Sequence, residues 1–133
     1  MFEYHGWATV SDSLDDETDA ADGLSRETYA RVAELISTIN VEGWQVADIR
    51  VANGSCHVWL AGLRNHRQSE VLNTFRAIAA VAPWSYGILN VFDDEDASEG
   101  SDWVTWVMKR GSVERHPDRF LSPHVGVVKD HFD

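Results

Sequence analysis

The chain of 133 residues has one cysteine, three prolines and only eleven basic residues. A lone thiol, Cys56, closes no internal disulfide and cannot by itself build a structural zinc site, so a reducing compartment suits the chain. No apolar run approaches the roughly eighteen residues of a membrane-spanning helix. The first ten residues, with Glu3, His5 and Gly6 among them, lack the basic start and apolar stretch of a secretory signal. The expected address is the cytoplasm. The shortage of basic residues is set against 22 acidic ones, a formal net charge of -11. That charge repels the phosphates of nucleic acids and anionic lipid headgroups and attracts basic surfaces, so the expected partner is a protein rather than a nucleic acid or a membrane.

What is present suits one folded domain. Hydrophobic residues make up 44% and charged residues 25%, near the averages for globular proteins. A chain this long buries roughly 68% of its unfolded surface around one core, so residues 1–133 are expected to form a single domain.

Phe2, Tyr4, Gly6, Ala8 and Val10 alternate with polar and aromatic residues and predict a first strand. Ser25 is a candidate N-cap, followed by Tyr29, Val32, Ala33, Ile36 and Ile39 on one helical face, and the helix region closes at Gly43. Trp44 to Ala52 and Ser55 to Leu63 flank Asn53-Gly54, a pair that tolerates the positive φ angles of a tight hairpin. A second helix carries Val71, Leu72, Phe75, Ile78, Ala79 and Ala82 and ends at Pro83. Strands follow over Gly87 to Phe92 and Trp103 to Lys109. The order β-α-β-β-α-β-β predicts an α+β fold: an antiparallel or mixed sheet of about five strands with two helices on one face, of ferredoxin-like type with an added strand. The tail from Ser112 is less periodic, with Phe120-Leu-Ser-Pro123 expected to dock on the body.

Catalytic patterns are sparse. Asn65-His66-Arg67 could serve phosphate chemistry, with Tyr86 or Asp93 as neighbours, in a small enzyme or ligand-binding domain; no nucleophile or set of metal ligands accompanies it, and a helix-entry loop is the favoured reading. Cys56 and His57 are strand neighbours on opposite faces and cannot pair as nucleophile and base. Asp94, Asp96 and Ser98 follow the start of a calcium loop, but Glu99 stands where glycine is required and Thr105 where a bidentate carboxylate is required. The expectation is therefore no enzyme, no metal and no cofactor.

Twelve of the 22 acidic residues fall in two clusters, Asp12 to Asp22 and Asp93 to Asp102. Concentrated negative charge on a rigid scaffold speeds encounter with a basic partner and can occupy a cleft built for phosphates. The six tryptophans lie in or beside expected strands, where core packing is the usual role. Trp103 and Trp106 point to opposite faces, so one of them is expected to be exposed as an interface anchor.

Several blocks in order and spacing carry a resemblance: Phe2-Glu-Tyr-His-Gly-Trp7, Ala52-Asn-Gly54 with Leu60-Ala-Gly62 and Asn65-His-Arg67, Ser85-Tyr-Gly-Ile-Leu89, Asp93-Asp-Glu-Asp96, Lys109-Arg-Gly111 and Phe120-Leu-Ser-Pro123. Together they resemble the immunity protein 7 family of bacterial polymorphic toxin systems, over nearly the whole chain. The resemblance implies an α+β protein of the cytoplasm that neutralises a cognate toxin C-terminal domain, often a nuclease. Val125-Gly-Val-Val-Lys-Asp130 departs from the pattern, where another proline and a more acidic end are expected. Charge reasoning, rather than the resemblance, names the expected toxin contacts: Asp93, Asp94, Glu95 and Asp96, supported by Asp15 and Asp16, with His66, Arg67 and Trp103 beside them.

Overall fold

Alternation at the start of the chain produces β1, Phe2–Val10, with Phe2, Tyr4, Ala8 and Val10 buried and His5 and Trp7 exposed on the other side. The computed structural model describes residues 1–12, 24–40, 46–96 and 102–124. The other strands are β2 (Ala47–Ala52), β3 (Ser55–Arg64), β4 (Tyr86–Asp93), β5 (Trp103–Lys109) and β6 (Ser112–Pro117). They form one sheet in the order β2-β3-β1-β4-β5-β6, and every neighbouring pair is antiparallel. The first four strands have the split β-α-β order of a ferredoxin-like sheet, β1 lying between β3 and β4. Two strands rather than one extend its β4 edge.

The β2–β3 hairpin turns at Asn53-Gly54, with φ of 51° and 72°, as the sequence predicts. The sixth strand follows a second turn of the same kind, Arg110-Gly111, with φ of 51° and 78°. β6 escapes hydropathy reading because Val113 is its only residue that is not exposed, as befits an edge strand kept polar.

α1, Arg26–Ile39, begins where the Ser25 Oγ accepts the Thr28 N–H at 3.1 Å. It buries Val32, Ile36 and Ile39, while Tyr29 is exposed. The helix stops at Asn40, whose side chain accepts from the Val46 and Ala47 N–H groups at 2.7 and 2.9 Å and donates to the Ala47 carbonyl at 2.7 Å. That clamp sets the start of β2. α2, Ser69–Val81, buries Val71, Thr74, Phe75, Ile78 and Ala79.

The helix faces join Tyr4, Val58, Leu60 and Leu89 in one core on one side of the sheet. Tight strand packing there requires Gly87, where a Cβ would collide with the Trp7 carbonyl oxygen and the Ala8 Cα. Among the described residues, no helix is long and apolar enough to cross a membrane.

Candidate functional site

The end of β4 and the loop before α2 meet at an acidic corner. Asp93 follows the inward phase of Leu89 and Val91 and is 7% exposed. Its buried carboxylate needs donors, and two are supplied: Arg67 Nε at 2.5 Å and the Glu95 backbone N–H at 3.0 Å. The bond to Asp93, with its coulombic attraction, raises the Arg67 guanidinium above its ordinary value. A second Arg67 nitrogen lies 3.7 Å from Asp96. His66 Nδ1 lies 2.7 Å from Glu95, and the Met1 amino group 2.6 Å from Asp94. Each acidic side chain of the run is thus held by a group from elsewhere in the fold, while those of Asp94 and Glu95 stay about half exposed. The corner thus presents half-exposed carboxylates, each with a partner from elsewhere in the fold.

A cleft of about 290 Å³ opens beside it, lined by Phe2, Leu72, Val91 and Trp106 with Arg67, Asp93, Asp96 and Asp102 at its polar side. His66 lies outside that lining, and Tyr86 lies at the opposite end of β4 from Asp93. Arg67 bonds Asp93 and His66 meets Glu95 at this corner, whereas Tyr86 lies at the far end of β4. Cys56 and His57 do point to opposite faces: Cys56 is buried, and His57 Nδ1 lies 3.2 Å from the Thr9 hydroxyl.

Asp15, Asp16, Ser98 and Glu99 lie outside the described residues. Asp12, where the first acidic cluster begins, sits beyond the end of β1 opposite to Asp93, because Phe2 pairs with Asp93 and Val10 with Cys56. A nine-residue strand spans about 30 Å, so that anchor of the first cluster is remote from the acidic corner. Among the described residues, no group of three or more His, Cys, Asp or Glu side chains could hold a metal ion.

The tryptophans depart from expectation. Trp103 is 6% exposed. The returning tail covers it: Ser122 Oγ accepts the Trp103 N–H at 2.8 Å, and Trp103 Nε1–H donates to His124 Nδ1 at 3.1 Å. Trp106 is half-buried beneath Arg76, whose guanidinium lies 5.1 Å from the ring centroid. Among the described residues, the exposed indoles belong instead to Trp7, Trp59 and Trp84, at 38%, 41% and 41%, and Trp44 lies outside the described residues. The first two lie on the side of the sheet away from the helices, so the core role expected for them does not hold. Strand phase carried the signal: Trp7 is out of step with Tyr4 and Ala8, and Trp59 with Val58 and Leu60.

An α+β domain whose described helices all lie on one side of the sheet, with exposed aromatic rings on the other side and an acidic corner at the end of β4, has the form of a small protein-binding module. The family model of Immunity protein 7 matches residues 1–130, and the chain belongs to that family. It is an immunity protein, directed against a toxin. No curated protein and no solved structure matches the chain.

Proposed function

We propose that this immunity protein neutralises a nuclease-type toxin domain by laying its acidic corner over the toxin's phosphate-binding cleft. It acts by occupying that cleft rather than by catalysis. The observation that carries the reading is the ordering of Asp94 and Glu95, half exposed yet tethered by the Met1 amino group and His66. Carboxylates fixed before encounter lose little side-chain entropy on docking and can take the place of substrate phosphates against Lys and Arg. Asp96 joins them at the rim of the cleft. Asp93 and Arg67 act beneath, holding the turn. Trp103 supports the same end through Phe92 and His124, whose rings it meets at 5.6 and 6.0 Å between centroids. Asp15 and Asp16 add to the long-range field, which with a net charge of -11 disfavours nucleic acid and membrane partners.

The test is protection of a cell that expresses a candidate toxin domain from a neighbouring gene, together with inhibition of the purified domain on a nucleic acid substrate. One equivalent of protein should stop cleavage, and Asp94→Lys/Glu95→Lys/Asp96→Lys should lose protection. A toxin domain that cleaves no nucleic acid, or undiminished protection by the reversed variant, would refute the reading.

A further inference from the structure

Among the described residues no helix covers the other side of the sheet, which carries a continuous apolar row. Trp59 of β3 stands opposite Trp7 of β1, Trp7 opposite Ile88 of β4, and Ile88 opposite Val107 of β5. Tyr86, 52% exposed, meets the Trp7 ring edge-on, at 6.1 Å between centroids and 88° between planes. The Arg50 guanidinium lies 5.7 Å over the Trp59 ring. Large aromatic rings left in water across several strands are costly for a free monomer, and contiguous patches of this kind mark interaction surfaces. Trp, Tyr and Arg are also the residue types that dominate binding energy at protein interfaces.

The charges on this face stand at its margins. Asp48 lies on the edge strand β2 and bonds Arg50 at 2.7 Å; Glu114 lies on the edge strand β6 and sits 3.4 Å from His116; Glu3, near the start of β1, sits 2.7 Å from His5. An apolar centre inside a polar rim is the anatomy of a protein interface. Charge also selects among occupants, because a second copy would set another -11 against the first, whereas a basic partner is attracted. Basic side chains can stack on the exposed indole faces while the acidic corner guides approach from the side.

We infer that the Trp59–Trp7–Tyr86 face is the surface on which the toxin domain docks, its basic side chains stacking on the rings. This rests on the reading of a basic toxin partner. It adds to that reading a second contact, the sheet face, as a source of binding energy, while the acidic corner occupies the cleft and speeds association.

The test is calorimetric titration of the full chain with a catalytically inactive form of the toxin domain against which it protects cells. Trp59→Ala and Tyr86→Ala should each weaken Kd by at least about thirtyfold, with circular dichroism and melting temperature unchanged. The wild-type tryptophan emission should also shift to the blue on binding, a readout that depends on no variant folding. Wild-type binding with both variants within about threefold, the range of a neutral contact, and no emission shift would overturn the face while leaving the toxin reading intact. A wild-type chain that does not bind the toxin domain would overturn the toxin reading itself. A wild-type dimer that Trp59→Ala converts to monomer would give the face to a second copy and overturn the inference.

Discussion

Arg67, just ahead of α2, donates from Nε to the buried carboxylate of Asp93 at the end of β4, across 26 positions of sequence. The bond joins the second helix to the centre of the sheet and holds the acidic turn in shape. Removing Arg67 leaves Asp93 Oδ2 without its donor, which costs about 1–3 kcal/mol for a buried polar group and more for a fully buried charge. Arg67 is itself more than half exposed, so solvent screening sets the expectation at the lower end, about 1 kcal/mol. Urea denaturation of Arg67→Ala measures this. The double variant Arg67→Ala/Asp93→Asn should be less destabilised than the two single effects added, because the stranded charge is gone.

Asn40 is expected to matter more than its place at a helix end suggests. Its side chain makes three hydrogen bonds to the backbone at Val46 and Ala47, so one residue fixes both the stop of α1 and the start of β2. Asn40→Ala should lower stability by about 2 kcal/mol, with thermal melting as the readout. Loss of less than a few tenths would show that the clamp is dispensable.

Asp12 predicts an acid-side effect. Burial acts to raise its carboxyl, but hydrogen bonds from Thr28 and Ser25 outweigh burial and hold it below the usual carboxylate range. Near the unfolded value of about 3.9, the unfolded chain therefore binds more protons than the folded one. The contribution is complete above that value and fades as pH falls through the lower folded one. Asp12→Asn should melt lower than wild type near neutral pH, and the gap should narrow below about pH 4. A gap that is constant with pH would contradict this role.

Most regular structure was legible because burial here follows simple periods. β1 and β3 alternate and β4 does so as far as Asn90, while β5 is legible from its β-branched and aromatic residues, and both helices repeat their apolar residues every three or four positions. β6 was not legible, since polar residues on both faces of an edge strand leave no hydropathy signal, although the Arg110-Gly111 turn marked its start. In the corner, the acidic run was visible but its internal division was not. Only the phase Leu89, Val91, Asp93 shows that Asp93 turns inward while Asp94 and Glu95 stay exposed. The cover on Trp103 comes from Ser122 and His124, about twenty residues on, and no local pattern encodes it.

Under the proposed function, the half-exposed carboxylates at the end of β4 guide this protein onto a basic toxin cleft. Stopped-flow association with the inactive toxin domain, across a range of ionic strength, tests it most directly. Wild type should associate faster at low salt, and Asp94→Lys/Glu95→Lys/Asp96→Lys should be slower by roughly tenfold or more there, the two converging as salt rises. Equal rates at low salt, or a wild-type rate independent of salt, would rule out electrostatic guidance by these carboxylates.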